Sequence, residues 1–158
     1  MEKIINSSSG YIKDYIHYFY RRIYFADTDA AQVVYHAEYL KLAEQARTEM
    51  LRLKGYNYNY LKRNYNAHFA IHSLSANYSK PLKLDDEIII ETSVNSLGGA
   101  SIDMEQKFLL TNNKDRHLAS QLNIKVVLVN DKGILIRLPK KIFEDLKFLT
   151  LRIKLNSK

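Results

Sequence analysis

Residues 25 to 51 read FADTDAAQVVYHAEYLKLAEQARTEML, and this stretch decides the fold. From about His36 to Leu53 the apolar residues recur with the period of an α-helix. They form one stripe along that helix: Tyr39, Leu42, Ala46, Met50 and Leu53. Gly55 follows where glycine commonly ends a helix. The sequence therefore predicts one long helix, and its length allows it to cross the face of a sheet.

The segments around this helix have the patterns of β-strands. Before it, Tyr18 to Phe25 is rich in aromatic and β-branched residues, and the Asp-Thr-Asp at 27–29 supplies turn-forming side chains. After it, residues 55–66 suit a short helix or a loop. Strand patterns then follow at about 68–78, 87–94, 102–110, 121–128 and, more briefly, 134–138. Pro139 fits the first position of a short final helix. The order predicts an α+β fold, with one long central helix packed on a mostly antiparallel sheet of five to six strands.

The length and composition indicate a single globular domain. The chain has 158 residues, of which 46% are hydrophobic and 26% charged. Residues 1–16, with the polar run Ser7 to Gly10, are predicted to be a loosely ordered extension. Residues 17–150 are predicted to form the domain, and 151–158 a basic tail. Because the sequence has neither a long apolar run nor a cleavable signal pattern, we expect a cytoplasmic location.

The charge and the cysteine count limit the classes of function. A formal net charge of +7 suggests an anionic partner, although a basic surface that only serves solubility explains it equally well. The twelve tyrosines come without an RNA-binding or helix-turn-helix pattern, so nucleic acid is not the expected partner. The chain has no cysteine, which excludes disulfides, thiolate metal sites and a cysteine nucleophile.

The densest chemical cluster joins the end of the first strand to the start of the helix. Backbone N–H groups at a helix start, together with the helix dipole, can stabilise an oxyanion. A carboxylate a few residues earlier can attack an activated carbonyl, or activate a water molecule to do so. Asp-x-Asp after a strand is also ordinary turn and helix-cap chemistry, and spacing alone favours that simpler interpretation.

The stretch quoted above closely resembles the opening motif of the 4-hydroxybenzoyl-CoA thioesterase-like hot-dog family, and particularly its YbgC branch. Weaker similarity extends through HFAIHSLSANYSKPLKLDDEIIIET, so that residues 20–145 are covered. The resemblance implies a hot-dog fold, acyl-CoA thioesterase activity without a cofactor, and a homo-oligomer, either a dimer or a tetramer. It also raises an association with envelope proteins of the Tol-Pal system or with lipid-synthesis proteins.

The resemblance also implies roles for individual residues. Asp29 is the family's catalytic carboxylate, as nucleophile or general base, and His36 lies at the helix start with its backbone N–H on the thioester oxygen. Tyr35 lines the pocket. Lys132 and Arg137 lie in a region similar to the family's phosphate-binding segment, with Lys80 and Lys83 as further possibilities, and are expected to bind coenzyme A.

Gln32 departs from the family pattern, which has glycine at this position. Its Cβ is costly if the backbone needs a positive φ. Either the loop adopts a different turn, or the amide side chain reshapes the substrate pocket. We therefore count Gln32 among the candidate substrate-binding residues.

Other interpretations remain open. The enzyme class includes hydrolases of aromatic thioesters such as 1,4-dihydroxy-2-naphthoyl-CoA, although His36 favours the YbgC branch. A non-catalytic acyl-binding or nucleic-acid-binding module is the alternative outside the enzymes. His68 and His72 are interpreted as core or interface histidines, because a metal site needs more ligands. Glu44 and Arg47, three residues apart on the helix, are interpreted as an ion pair.

Overall fold

The computed structural model describes residues 8–112 and 115–151, which form a six-stranded antiparallel sheet and three α-helices. The strands are β1 Tyr11–Lys13, β2 Ile16–Arg22, β3 Ala67–Tyr78, β4 Glu87–Leu97, β5 Ser101–Asn112 and β6 Asp115–Asn130. The helices are α1 Glu38–Leu53, α2 Tyr58–Tyr65 and α3 Lys140–Leu149. The predicted α+β arrangement, one long helix with an antiparallel sheet, is thereby confirmed.

The connection from β2 to β3 determines which parts of the chain meet at the candidate site. The strands lie in the order β1-β2-β4-β5-β6-β3. After β2 the chain runs through α1 and α2 and returns as β3, which pairs with β6 at the opposite edge of the sheet. The last residue of β3, Tyr78, then contacts the residues that precede α1. The β2–α1 connection and the end of β3 thus meet in space.

The core lies between α1 and the sheet. Along β5 the buried residues alternate with more exposed ones and are Ile102, Met104, Gln106, Phe108 and Leu110. On α1 the buried positions recur at helical spacing and include Tyr39, Leu42, Ala46 and Met50. These two periods are the ones predicted, and they put both apolar surfaces into one core. Leu53 is the exception, since it is 41% exposed.

Residues 11–16, predicted as part of a loosely ordered extension, instead form β1, a two-residue turn and the first residue of β2. Tyr11–Lys13 pairs antiparallel with the start of β2, and the rings of Tyr11 and Tyr18 stack at 5.1 Å. Gly10 precedes this strand with φ +71, and a Cβ there would lie 2.0 Å from the carbonyl oxygen of Tyr18. A strand of three residues held by one tight glycine is too short to produce a periodic signal in the sequence.

The buried side chain of His17 holds the segment that precedes this N-terminal strand. Its side chain is buried, its Nε2 donates to the carbonyl of Ser9 at 2.7 Å, and the Ser9 hydroxyl donates to Glu49 on α1. The other ring nitrogen, Nδ1, is buried without a partner among the described residues. The imidazole is therefore held as the neutral tautomer with its proton on Nε2.

We expect acid to destabilise the protein through His17. Burial lowers its pKa below the ordinary 6.5, outweighing the Ser9 carbonyl and Glu49, which raise it. Because the unfolded chain then binds the proton more tightly, the free energy of unfolding should fall as the pH drops below about 6.5. Urea unfolding at about pH 7.5 and about pH 5.5 measures this. His17→Gln keeps a donor for Ser9 and should flatten the pH dependence; an unchanged slope would contradict the assignment.

Several element boundaries differ from the predicted ones. Of the two alternatives predicted for residues 55–66, the short helix is found, at Tyr58–Tyr65, whereas the strand predicted at 134–138 is only an isolated bridge between Leu135 and Val129. Pro139 is the residue before α3 rather than its first position, and its extended backbone gives the reason. The predicted basic tail lies outside the described residues except for Leu151. In the described part of the chain, no helix has the length and apolar character needed to cross a membrane.

Candidate active site

A surface cavity of about 450 Å³ lies where the β2–α1 connection meets the end of β3. Three of the predicted site residues, Asp29, Tyr35 and His36, line it together. The remaining lining residues are Val33, Val34, Tyr39, Tyr78, Ser79, Lys80 and Pro81. The cavity thus brings a carboxylate, the residues before the long helix and an aromatic wall into one place.

Asp29 is held by the turn that it begins. Its backbone N–H donates to the carbonyl of Val33 at 3.0 Å, and its own carbonyl accepts from the N–H of Gln32 at 2.9 Å. One carboxylate oxygen, Oδ1, accepts from the backbone N–H of Ala31 at 2.8 Å. The other carboxylate oxygen has no hydrogen-bond partner among the described residues. The side chain is exposed, so an oriented carboxylate with one open oxygen faces solvent beside the cavity.

Asp27 and Thr28 shape the preceding turn. Asp27 is 7% exposed, and its Oδ2 accepts from the backbone N–H of Tyr24 at 2.8 Å. Its carbonyl accepts from the N–H of Tyr35 at 3.3 Å, while the Thr28 hydroxyl donates to the carbonyl of Phe25 at 2.8 Å. Both Asp27 and Thr28 therefore have their polar groups engaged within the loop, which leaves Asp29 as the accessible carboxylate of the Asp-Thr-Asp run.

Gln32 occupies the left-handed backbone region, with φ 62. The chain thus keeps the conformation that suits glycine, so the expected different turn is not found. The expected reshaping of the pocket is not seen either, because the Gln32 side chain is exposed and is not among the residues that line the cavity. The departure from the family pattern therefore places a strained backbone next to Asp29.

Gln32→Gly should stabilise the protein. A non-glycine residue in the left-handed region carries a cost of about 1 kcal/mol, part of which the greater entropy of glycine in the unfolded chain offsets. We expect a gain of about 0.5 kcal/mol in the free energy of unfolding, measured by urea denaturation. Gln45→Gly on α1 is the matched control and should lose about 1 kcal/mol. A loss of stability in Gln32→Gly would contradict the conclusion that the backbone at Gln32 is strained.

The helix begins later than predicted, at Glu38 rather than at about His36. Residues 35–38 form a turn, which we call the helix-start turn, closed by the N–H of Glu38 on the carbonyl of Tyr35 at 2.8 Å. The carbonyl of His36 accepts from the Tyr78 hydroxyl at 2.9 Å, and the N–H of Leu40 bonds to Ala37 instead. An interaction from β3 thus replaces the first regular helical hydrogen bond.

The backbone N–H groups of His36 and Ala37 are the open donors of the helix-start turn. Neither meets an acceptor among residues 8–112 and 115–151, whereas Tyr35 and Glu38 both donate within the loop. The His36 N–H lies on the positive end of the α1 dipole, where a developing negative charge is stabilised. The His36 ring is exposed and tilts against the ring of Tyr35, with 4.3 Å between centroids.

Sequence reasoning missed Tyr78, which secures the helix-start turn. The Tyr78 ring contacts that of Tyr39 edge to face at 5.1 Å, and Tyr39 contacts Phe108 in the same way at 5.3 Å. These three rings link the centre of β5 to the carbonyl of His36. In the sequence, the only indication of this role was the position of Tyr78 at the end of a predicted strand, directly before Ser-Lys-Pro.

Tyr78→Phe should lower kcat for the reaction at this cavity by about five- to tenfold with little change in KM. The variant loses the hydrogen bond to His36 but keeps the ring packing, so the helix-start turn loosens while the fold stays. Steady-state kinetics and thermal unfolding measure the two effects separately. Tyr15→Phe, which is remote from the cavity, is the control. An equal rise in KM with unchanged kcat would show that Tyr78 does not position the turn.

Two predicted basic residues lie away from this cavity. Lys132 and Arg137 are exposed in and after the β6 turn, and neither lines the cavity within this chain. Lys80, one of the further possibilities, does line it. His72 is the bulged residue of β3, between Ile71 and Ser73, whereas His68 pairs regularly with Val129. The described residues contain no group of three or more His, Asp or Glu side chains suited to a metal ion.

Comparisons with known proteins identify the family of this chain. The thioesterase-like superfamily matches residues 23–147. Acyl-CoA thioesterase YbgC of Haemophilus influenzae is 37% identical over 109 residues, which are 69% of this chain and 77% of the relative. Acyl-CoA thioester hydrolase YbgC of Escherichia coli O6:H1 is 35% identical over 127 residues, which are 80% of this chain and 92% of the relative.

The fold has solved counterparts as well. The crystal structure of a probable thioesterase from Bartonella henselae superimposes with a TM-score of 0.72 at 34% identity, covering 78% of this chain and 99% of that one. The family match includes the Asp29 loop, the helix-start turn and the four strands β3 to β6. The chain therefore belongs to the thioesterase-like superfamily, as a YbgC-type thioester hydrolase of the hot-dog fold.

Proposed function

We propose that this chain hydrolyses acyl-CoA thioesters to the free acid and coenzyme A, with Asp29 as the catalytic carboxylate and the His36 N–H as the oxyanion donor. One observation carries the proposal: an oriented carboxylate with an open oxygen and a backbone N–H without an acceptor belong to residues that line one cavity. The names of the Haemophilus and Escherichia relatives support acyl-CoA as the substrate class.

Two routes use these groups. In the first, the Asp29 carboxylate attacks the thioester carbonyl, the C–S bond breaks to release the thiolate, and water cleaves the resulting anhydride. In the second, Asp29 takes a proton from a water molecule that attacks the carbonyl directly. Both place negative charge on the carbonyl oxygen, where the His36 N–H donates. A thiolate leaves without a strong general acid, so neither route needs a further proton donor.

The rest of the cavity suits the remainder of the substrate. Lys80 provides a positive charge at the cavity for the phosphates of coenzyme A, and Lys132 and Arg137 serve as further phosphate contacts if a second copy brings them to the site. We expect such a homo-oligomer, because the edge strand β3 carries the exposed apolar residues Ile71 and Leu74. Size-exclusion chromatography with light scattering tests the dimer or tetramer.

An aromatic acyl group is the second candidate substrate. Tyr35, Tyr39 and Tyr78 line the cavity, and aromatic rings favour contact with another ring. A panel of acetyl-, octanoyl-, palmitoyl-, benzoyl- and 1,4-dihydroxy-2-naphthoyl-CoA, followed through the released thiol, separates the aliphatic from the aromatic assignment by kcat/KM. Cleavage of none of these thioesters would overturn the proposed function.

A further inference from the structure

A second cavity, of about 300 Å³, lies between α1, α2 and β3, away from Asp29. Its wall is largely apolar and includes Leu51, Leu61, Phe69, Ile71, Met104 and Val126. Two charged residues of α1, Glu44 and Arg47, also line it. None of the residues around the Asp29 cavity lines this one, so it is a separate feature of the fold.

Arg47 is a buried cation on the wall of this second cavity. It is 8% exposed, and its Nη1 donates to Oε1 of Gln106 at 2.7 Å. Its Nε and Nη2 have no hydrogen-bond partner among the described residues, yet they are not sealed from solvent. Arg47 lines the cavity, so a ligand held there would meet a guanidinium with unused donors.

Gln106 fixes the guanidinium in this position. The Gln106 side chain is fully buried, and its amide nitrogen donates to the carbonyl of Ala43 at 3.0 Å and to the Thr92 hydroxyl at 2.9 Å. Those two bonds leave only its oxygen to face Arg47. The amide accepts a hydrogen bond but carries no charge, so it does not neutralise the guanidinium.

The predicted ion pair between Glu44 and Arg47 is wrong. No carboxylate oxygen of the described residues lies within 4 Å of the Arg47 nitrogens, and Glu44 instead accepts from the Thr48 hydroxyl at 2.7 Å. Burial lowers the pKa of Arg47 to about 10, with Glu44 acting in the opposite direction. Arg47 is therefore charged at neutral pH, and a buried charge without a counter-ion is costly.

We propose that the second cavity binds the carboxylate of a small apolar molecule, with Arg47 as its counter-ion. The apolar wall takes the body of the ligand, and the open guanidinium donors take its charged end. Glu44, which is exposed, opposes the approach of an anion without blocking the guanidinium.

Two sources of such a carboxylate fit the geometry. One is a free acid, the class of product that a thioester hydrolase releases. The other is the distal carboxylate of an acyl group whose thioester lies at His36. Leu40, Glu44 and Thr48 share one face of α1. The eight residues from His36, in the helix-start turn, to Glu44 span about 12 Å, so an acyl chain can run along this face. The second source rests on the proposed function, whereas the first does not.

Direct binding tests the proposal without turnover. Isothermal titration would compare octanoate with 1-octanol, which has the same apolar body but no charge. We expect octanoate to bind about tenfold more tightly, with this preference kept in Asp29→Asn and lost in Arg47→Met. Glu44→Gln should tighten octanoate by about two- to threefold, in the opposite direction to the Arg47 variant.

A second arm tests the acyl source by kinetics. Suberyl-CoA carries a distal carboxylate and octanoyl-CoA does not, so we compare their kcat/KM values in the parent and in Arg47→Met. A preference of about tenfold for suberyl-CoA that the variant loses assigns the cavity to the acyl group. Equal binding of octanoate and octanol together with no preference between the two thioesters would overturn the proposal, even if the Arg47 variant fails to fold. If only the proposed function is wrong, none of the thioesters will be cleaved, but octanoate will still bind.

Discussion

Asp29→Asn should lower kcat for octanoyl-CoA by about a thousandfold, the loss expected when a catalytic carboxylate can no longer attack or accept a proton. Asparagine keeps an oxygen that can accept the hydrogen bond from the N–H of Ala31, so the turn around the residue should survive. KM should change little, because the carboxylate acts on the transition state rather than on the bound substrate. Steady-state release of thiol measures both constants.

The control for this variant is Asp115→Asn, an exposed carboxylate at the start of β6. It makes the same change of charge on the surface and should leave kcat unaltered. Thermal unfolding of both variants checks that the fold is kept. An Asp29→Asn protein with near-parental kcat would remove Asp29 from the mechanism, whatever the identity of the substrate.

Phe108→Ala should lower the free energy of unfolding by about 4 kcal/mol, the largest effect on stability that we expect from one substitution. Phe108 is fully buried at the centre of β5, and truncation leaves a cavity against α1. Its ring also supports Tyr39, which in turn contacts Tyr78. Urea unfolding gives the change in free energy.

A milder variant separates packing from catalysis. Phe108→Leu should cost about 1.5 kcal/mol and keep the fold, while the lost edge contact with Tyr39 lowers kcat. Phe25→Ala is the stability control, since Phe25 is 81% exposed and its removal should cost less than about 0.5 kcal/mol. A loss below about 1 kcal/mol in Phe108→Ala would contradict the role of this ring in the core.

Periodic elements of the fold were predictable from the sequence. The stripe on α1 and the alternation along β5 each repeat over many residues, so local pattern alone identifies them. Tyr11–Lys13 was not predictable, because three residues give no period and depend on pairing with β2. The start of α1 was placed two residues early, since the Tyr78 hydroxyl takes the carbonyl of His36 from a distant strand.

The site was predictable only where its residues are neighbours in the chain. Asp29, Tyr35 and His36 fall within one motif, and the structure brings them to one cavity. Tyr78 joins them through the return of β3. The spacing of Glu44 and Arg47 suggested a local ion pair, but Gln106, far along the chain, holds Arg47 instead. Contacts of this kind depend on tertiary packing, which helical spacing does not encode.

If the proposed homo-oligomer forms at β3, the position of Tyr78 links subunit association to catalysis. It ends β3, the strand at the free edge of the described sheet, while its hydroxyl anchors the turn that presents the His36 N–H. A neighbouring subunit that docks on this edge would restrain the same strand, and through it the geometry of the donor. Specific activity should therefore rise with enzyme concentration over the range in which subunits associate. On dilution, the enzyme should lose activity before it loses its fold.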